Sequence, residues 1–262
     1  MNRATDKALS ELIRAIGQAD FPEVLGHFME KMVRFDSFFI FAYHKDHNPD
    51  ILYRDYDPLL YPKLDSQYVE GAYLLDPFYH AVSGGIQKDV HRLFDLAPDK
   101  FKQTSYFKEY FRNTAMIDEV AIFARITNDT TITVNFGRDS TSNTPFSKNE
   151  LTRMKSFQSV LTTLCEQHWQ HYRPEEGINV SLPPITDRLR KKLKTQCNIA
   201  LTQRQAEVSM YILQGHSSLS ISLNLGISKG TVKVFRKQLY SRCNISSQVE
   251  LFALLTPILA TL

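Results

Sequence analysis

The sequence predicts two domains, an α+β domain in which helices cover an antiparallel sheet and an all-α domain of four short helices. Strand-like and helix-like hydrophobic periods are mixed in the first two thirds of the chain, whereas only helix-like periods occur near its end. Of the 30 Phe, Tyr and Trp residues, 26 lie before residue 173. A stretch with three prolines and one glycine, residues 172–188, has neither period and is typical of a linker. We therefore predict a first domain at 1–172, a linker at 173–195 and a second domain at 196–262.

Two amphipathic helices and a series of strands account for most of the first domain. KALSELIRAIGQA and PEVLGHFMEKMVRF place apolar residues three and four positions apart, which is the period of an amphipathic helix. Short β-branched and aromatic runs bounded by Asp, Asn or Gly are typical of strands, and the chain has four of them: SFFIFAYHK, DILYRDYD, DEVAIFARIT and TTITVNFGRD. A Tyr- and Phe-rich segment, residues 58–115, separates the second run from the third and is expected to form helices and loops.

A long amphipathic helix is predicted to end the first domain. Ser147 and Glu150 have the spacing of a capping box at its start, and Leu151, Met154 and Phe157 share one face. A helix of this length can complete a domain and also pair with a second copy. The order of helices and strands resembles the layout of small-molecule sensor domains of the PAS and GAF kind. This resemblance concerns the fold and assigns no ligand.

Charge is distributed unevenly along the chain. From Thr186 to the end there are eleven Lys and Arg against three Asp and Glu, a net charge of +8, whereas the preceding residues carry twenty against twenty-five, a net charge of −5. Two domains with different tasks are the simplest account of this asymmetry. The chain has no apolar run of about 18 residues and no signal-peptide pattern, so we expect a cytoplasmic protein without a membrane segment.

The sequence supports neither a metal site nor catalysis. Three cysteines lie far apart and are expected to be half-buried thiols: Cys165, Cys197 and Cys243. Two histidine pairs have no third ligand at a suitable spacing and are expected in a solvated loop and at a helix end: His44 with His47, and His168 with His171. Nucleophile motifs and phosphate-binding glycine loops do not occur. We therefore expect no cofactor and no enzymatic activity.

Four helical patterns follow one another in the second domain. Thr202 precedes the first, and Gly215 ends it because glycine readily takes the positive φ of a helix C-terminus. Ser218 starts the second helix, and Ser228 caps the third by accepting a hydrogen bond from a free amide of its first turn. Two short helices joined by a glycine turn predict a helix-turn-helix.

The third helix has one apolar and one basic face. Val232, Phe235 and Leu239 recur at helical spacing and are expected to face the core. Five residues then point outward: Lys229, Lys233, Arg236, Lys237 and Tyr240. A basic outer face on the second helix of a helix-turn-helix favours insertion into the major groove of DNA. The alternative is that these charges only keep an exposed helix solvated.

These residues resemble the LuxR-type (GerE-like) DNA-binding domain over about 60 positions. The matching residues are Leu201, Thr202, Arg204, Glu207, Val208, Gly215, Ser217 or Ser218, Ile221, Leu225, Ile227, Ser228, Thr231, Val232, Lys233 and Tyr240. The sequence departs from the family pattern at Gln205, Ser222, Phe235, Arg242 and Cys243. The resemblance implies a sequence-specific transcriptional regulator that binds double-stranded DNA and acts on RNA polymerase.

The resemblance also implies roles for residues of the basic face. Lys233 and Lys237 would reach base edges, most readily guanine O6 and N7. Phosphates would be held by Ser228, Lys229, Thr231, Arg236 and Arg242, with Arg204 and Gln203 as further candidates at an earlier helix start. In this family the last helix, here SSQVELFALLTPILATL, pairs two subunits, and Ser247 with Glu250 would cap it. A homodimer would read an inverted repeat with half-sites about 10 base pairs apart.

Residues 61–79, YPKLDSQYVEGAYLLDPFY, resemble part of the ligand pocket of quorum-sensing regulators. Asp76 and Pro77 match that pattern, whereas Lys63 and Gln67 replace its aromatic residues. We therefore expect an amine or amide effector held by Asp76 among four aromatic residues: Tyr68, Tyr73, Tyr53 and Phe41. The alternative is that the tyrosines belong to the core and that Asp76 caps a helix before Pro77.

Taken together, the patterns predict a cytoplasmic, homodimeric transcriptional regulator whose first domain senses a small molecule. One alternative makes the first domain a protein-interaction and dimerisation module without a metabolite. Another, an enzyme fused to a DNA-binding tail, has no supporting motif.

Overall fold

The computed structural model describes residues 3–45, 48–61, 68–69, 71–86, 89–112, 115–174 and 183–262. The chain forms two compact units. The first unit consists of 1–62, 81–96 and 114–180, and the second of 63–80, 97–113 and 181–262. Two segments from the middle of the chain therefore pack with the C-terminal helices. The predicted division at 1–172, 173–195 and 196–262 follows sequence order and remains a prediction.

The described residues up to 174 form five strands and several helices. The strands are β1 (Ser37–His44), β2 (Asp50–Asp55), β3 (Val90–Arg92), β4 (Asp118–Arg125) and β5 (Thr130–Arg138). The helices are α1 (Arg3–Arg14), α2 (Phe21–Glu30), α3 (Pro77–Ser83), α4 (Leu93–Leu96) and α5 (Lys148–His168). Short 3-10 turns occupy Ala72–Leu75 and Phe101–Gln103, and a π-helical turn occupies Phe107–Arg112. β3 was not predicted, because a three-residue strand is too short to show a period.

The strands form one antiparallel sheet in the order β2-β1-β5-β4-β3. β1 and β5 pair along their full length, from Ser37 opposite Gly137 to His44 opposite Thr130. Every residue of these two central strands is buried, so both faces of the sheet are covered. The predicted antiparallel sheet with helices is confirmed.

One face of the sheet carries the hydrophobic core of the first unit. Phe38, Ile40 and Ala42 of β1 alternate toward this face, where they pack with helices α1, α2 and α5. The capping box of Ser147 and Glu150 is present at the start of α5. Burial of its apolar stripe, rather than helix propensity alone, stabilises a helix that covers a sheet.

Five helices make up the C-terminal part of the second unit. They are α6 (Ile185–Cys197), α7 (Gln203–Gln214), α8 (Ser218–Leu225), α9 (Lys229–Cys243) and α10 (Gln248–Leu259). The last four are the predicted helices, and α6 extends over part of the predicted linker. α6 packs through Leu189 and Leu193, both 0% exposed, four residues apart on one face. No helix among the described residues is long and apolar enough to cross a membrane.

The predicted caps are found at the helix ends. Thr202 forms a capping box with Gln205 at the start of α7, and Gly215 ends that helix at φ +96°. Ser247 accepts a hydrogen bond from the Glu250 N–H, but the Glu250 carboxylate accepts its backbone hydrogen bond from Ser246 rather than from Ser247. The local sequence therefore determines where these helices begin and end.

The cysteines and histidines differ in part from the expectation. Cys165 and Cys243 are buried and Cys197 is exposed, so the three thiols are not uniformly half-buried. His44 lies in buried strand β1, not in a solvated loop, and its ring contacts Asp50 at 3.0 Å. His168 lies at the end of α5, as expected, and accepts a hydrogen bond from the Gly17 N–H. His47 lies outside the described residues, and no group of three metal-binding side chains occurs within the described ranges.

Candidate nucleic-acid interface

A short turn joins α8 to α9. α8 ends at Gly226, whose φ of +63° is the left-handed conformation that glycine takes most easily. The Ile227 N–H donates to the Ser222 carbonyl at 3.0 Å, which closes the end of α8. Ser228 then caps α9 by accepting a hydrogen bond from the Thr231 N–H at 3.0 Å. The two helices therefore form the predicted helix-turn-helix.

The inner face of α9 is held against α7. Val232 and Leu239 are 0% exposed, whereas Phe235 is only half-buried. The Gln205 amide of α7 donates to the Gln238 side chain of α9 at 3.4 Å. Because its inner face is packed, α9 presents its other side chains in a fixed orientation.

The outer face of α9 carries a row of exposed lysines. Lys229, Lys233 and Lys237 follow one another at four-residue intervals, so they line one face over about 12 Å. Among the described residues, none of the three forms an ion pair. α9 itself contains no acidic residue. This row, which we call the lysine row, is therefore an uncompensated strip of positive charge.

Four further predicted residues lie on or at the start of α9. The Arg236 guanidinium lies 5.2 Å from the centre of the Tyr240 ring, a cation–π distance. The Arg242 Nη1 atom donates to the Ala200 carbonyl at 2.6 Å. The Ser228 and Thr231 hydroxyl oxygens lie 2.8 Å apart at the helix start. Together with the three residues of the lysine row, these four place seven of the nine predicted DNA-binding residues on α9 or at its N-cap.

The other two predicted residues lie on α7 and bond within the protein. Arg204 forms an ion pair with Glu207 at 2.8 Å. The Gln203 amide donates to the Thr186 hydroxyl at 2.9 Å and accepts from Arg190 at 3.1 Å. The two Gln203 hydrogen bonds attach the start of α7 to α6, whereas the Arg204 ion pair lies within α7. A DNA-binding role for Gln203 and Arg204 remains a prediction.

Sequence reasoning missed Arg190 of α6. Its Nε atom donates to the Leu201 carbonyl at 3.0 Å, next to the Ala200 carbonyl that Arg242 contacts. Two guanidinium groups from different helices therefore lie at the turn between α6 and α7. The run TDRLRKKLKTQ indicated positive charge, but it could not show which of its residues reach this turn.

Asp76 lies at the start of α3 and is buried. One carboxylate oxygen accepts from the Tyr68 hydroxyl at 2.6 Å, and the other accepts from the Phe78 N–H at 2.7 Å. Burial raises the pKa of Asp76 from 3.8 to about 6, against the opposing effect of these hydrogen bonds and one from Tyr106. Asp76 therefore caps a helix and also has a carboxylate that is poised to take up a proton near neutral pH.

The predicted ligand residues are only partly brought together. Tyr73 is buried in the second unit, where its ring centroid lies 6.5 Å from that of Tyr68. In the first unit, Tyr53 pairs with Ile40 and packs toward the hydrophobic core. Phe41, the next residue along β1, faces the opposite side of the sheet. Tyr53 and Phe41 therefore do not share a surface.

The side of the sheet that carries Phe41 has a polar group that the prediction missed. Thr133 and Asn135 of β5 point to this side and are buried. The Asn135 amide donates to the Thr133 hydroxyl at 3.3 Å, while its Oδ1 atom has no hydrogen-bond partner among the described residues. A buried carbonyl oxygen without a partner is unfavourable unless a donor reaches it. The alternation in TTITVNFGRD was the signal that could have identified Asn135.

A protein family matches the C-terminal region, and a curated relative is similar to a larger part of the chain. Residues 199–255 match a family described as bacterial regulatory proteins, luxR family. A curated relative from Aeromonas salmonicida, named as an HTH-type transcriptional regulator, is 28% identical over 182 residues, which is 68% of this chain and 92% of the relative.

Solved structures resemble the chain in fold. The VqsR LBD domain from Pseudomonas aeruginosa superposes with a TM-score of 0.57 at 21% identity, over 66% of this chain and 100% of that domain. SdiA from Escherichia coli gives a TM-score of 0.44 at 14% identity, over 97% of each chain. At 21% identity the first likeness concerns the fold alone.

Proposed function

We propose that this chain is a LuxR-type transcriptional regulator and that it binds an inverted-repeat operator as a homodimer. Residues 199–255, which match the luxR family, would be its DNA-binding domain. A small molecule would control this binding. The lysine row on α9 is the observation that carries the DNA-binding part. An α-helix is about 10–12 Å wide with its side chains, which fits a major groove of about 12 Å. Because α9 is packed on one side only, its lysines can enter the groove without rearrangement of the core.

Within that groove we assign Lys233 and Lys237 to base edges, since both lie beyond the first turn of α9 and are exposed. Lys229 and the Ser228 and Thr231 hydroxyls lie at the N-terminal end of α9, where a phosphate is also favoured by the helix dipole. Arg236 and Arg242 would hold phosphates further along. Arg204 and Gln203 are candidates for a contact at the start of α7.

The last helix, α10, supports the assignment of a homodimer. Leu251 and Leu255 are buried inside the unit, yet Val249 is 63% exposed on the same helix. An exposed apolar residue on a helix that already has a packed face is suited to pairing with a second copy. RNA polymerase is the proposed partner of the DNA-bound dimer, which would act in the cytoplasm.

Control by a small molecule is supported by buried polar groups in both units. Asn135 offers an acceptor oxygen that no described residue pairs with, and Asp76 offers a carboxylate whose pKa is raised by burial to about 6. An amine or amide effector could donate hydrogen bonds to either group. In the second unit, Tyr68 and Tyr73 would supply aromatic contacts beside Asp76. In the first unit, Phe41 would supply one on the side of the sheet that carries Asn135, and Tyr53, on the core side, would not face the same surface as Phe41.

A second candidate is an interaction and dimerisation module without a metabolite. It is favoured by the observation that both Asp76 oxygens already accept hydrogen bonds from the protein. Thermal melting of the full chain with a library of amines and amides separates the two functions, because only a ligand that binds the fold raises the melting temperature. A library without any stabilising compound would favour the module.

The DNA-binding assignment is tested with an operator selected from random duplexes by the full chain. We expect Lys233→Ala to weaken operator binding about 5- to 150-fold and to relax base preference, because base contacts contribute about 1–3 kcal/mol. Lys229→Ala should weaken binding to all duplexes and lower the salt dependence by about one charge. Lys191→Ala, an exposed lysine on α6, is the matched control. Wild-type binding by both α9 variants across salt concentrations would refute the interface.

A further inference from the structure

Residues 97–106, which we call the coupling segment, lie against the turn between α7 and α8. The Lys100 N–H donates to the Gly215 carbonyl at 2.8 Å. On the other side of the turn, the Ser217 N–H donates to the Asp99 carboxylate at 2.9 Å. Ser217 is the residue that caps α8. The coupling segment therefore hydrogen-bonds both the end of one helix of the DNA-binding domain and the start of the next.

The contact at Gly215 is close enough to exclude any side chain. A Cβ atom on Gly215 would lie 2.7 Å from the Thr104 methyl carbon and 2.8 Å from the Phe101 Cα atom. Glycine is also required here by its φ of +96°. The residue that ends α7 thus also permits the backbone of the coupling segment to approach.

A continuous series of contacts leads from this turn to Asp76. The Phe101 ring lies 5.9 Å from the Tyr106 ring, centroid to centroid. The Tyr106 hydroxyl donates to the Asp76 carboxylate, which also accepts from Tyr68. All of these residues belong to the second compact unit. Tyr106, Phe101 and the backbone at Lys100 therefore link Asp76 to Gly215.

The segment around Asp76 also touches the last helix. A Cβ atom on Gly71 would lie 2.8 Å from the backbone of Leu259 and Ala260, at the end of α10. Gly71 has a φ of +142°, which again favours glycine. The residues that surround Asp76 are thus attached to the DNA-binding region at two places.

We propose that the coupling segment transmits the state of the Asp76 site to the helix-turn-helix by way of Asp99 and Ser217. When a hydrogen-bond donor of the effector replaces the Tyr106 hydroxyl on the Asp76 carboxylate, the coupling segment becomes free to shift. This shift weakens the hydrogen bond between Asp99 and the Ser217 N–H at the start of α8. The proposal rests on the proposed function in that α8 and α9 are the DNA-binding helices. Contacts in series do not by themselves establish coupling, so the energetic link must be measured.

The docking of the coupling segment is tested by amide hydrogen exchange of the full chain, resolved by NMR. Asp99→Ala removes the acceptor of the Ser217 N–H, so this amide should exchange about three- to tenfold faster. Asp99→Asn keeps an acceptor oxygen and should show a smaller change. Asp95→Ala removes the same charge from an exposed position of α4 and should leave Ser217 unchanged. Wild-type exchange at Ser217 in Asp99→Ala would overturn the docking.

The coupling is tested with Tyr106→Phe, which removes the hydroxyl from Asp76 and keeps the ring on Phe101. We expect faster exchange at Ser217 in this variant and no further increase when it is combined with Asp99→Ala. The second variant, Tyr68→Phe, removes the other hydroxyl that donates to the Asp76 carboxylate. If both single variants exchange like wild type at Ser217, the coupling is refuted. Because no DNA is used, this outcome is independent of the test on Lys233.

Discussion

At the scale of single residues, Asp76 performs two tasks that the sequence could only offer as alternatives. Its position before Pro77 predicts a helix cap, and the hydrogen bond from the Phe78 N–H is such a cap. Its burial, together with the hydroxyls of Tyr68 and Tyr106, makes it a titratable group inside the protein. Burial cannot be inferred from the local sequence, because the residues that exclude water come from distant positions.

The raised pKa of Asp76 predicts how stability depends on pH. Between pH 3.8 and about 6 the folded protein binds a proton that the unfolded chain has lost. The free energy of unfolding should therefore fall as pH rises through this range, by about 2–3 kcal/mol for this group. Asp76→Asn cannot titrate and should flatten this part of the pH profile, as measured by urea unfolding between pH 4.5 and 7. Asp95→Asn is the exposed control, and equal slopes in Asp76→Asn and wild type would contradict the assignment.

At the scale of elements, the ends of the C-terminal helices could be predicted because their caps are local. Gly215, Gly226 and Ser228 determine boundaries through their own backbone preferences and side-chain oxygen atoms. The attachment of α6 could not be predicted in the same way. α6 is joined to its neighbours by Leu189, Leu193 and Arg190, whose partners lie later in the chain.

If α6 is a structural part of the DNA-binding region, removal of its buried side chains should destabilise that region. We expect Leu193→Ala to lower the free energy of unfolding by about 2–5 kcal/mol, because it leaves a cavity at a fully buried position. Lys191→Ala, two residues away and exposed, should change stability by less than about 0.5 kcal/mol. Denaturant unfolding of the full chain measures both, and an equally small effect of the two substitutions would show that α6 is not packed.

At the scale of the whole molecule, packing and sequence order divide the chain differently. The basic C-terminal helices share a compact unit with 63–80 and 97–113, which come from the part of the sequence with net negative charge. Each unit therefore contains elements that sequence patterns assign to the first domain. This arrangement places Asp76 and the helix-turn-helix in one compact unit.

The proposed homodimer makes a prediction about the operator. Two copies of α9 related by a two-fold axis should require half-sites about one helical turn apart, near 10 base pairs. Inserting 5 base pairs between the half-sites turns them to opposite sides of the duplex and should abolish dimer binding in gel-shift titrations. Inserting 10 base pairs restores the phase and should restore part of the affinity. Equal binding to all three spacings would show that the protein binds half-sites independently.

The sequence by itself determined the strand and helix periods, the helix caps and the basic face of α9, because each depends on neighbouring residues along the chain. It also determined the family resemblance of the C-terminal region, which the match over 199–255 confirms. Only the tertiary structure decided that Tyr53 and Phe41 lie on opposite sides of the sheet and that residues 97–106 pack against Gly215. It also decided that Asn135 is buried and that no residue in the described part of the chain pairs with its Oδ1 atom. The physical reason is that burial and long-range hydrogen bonds depend on which distant segments meet, and the local pattern of a segment does not specify its partners.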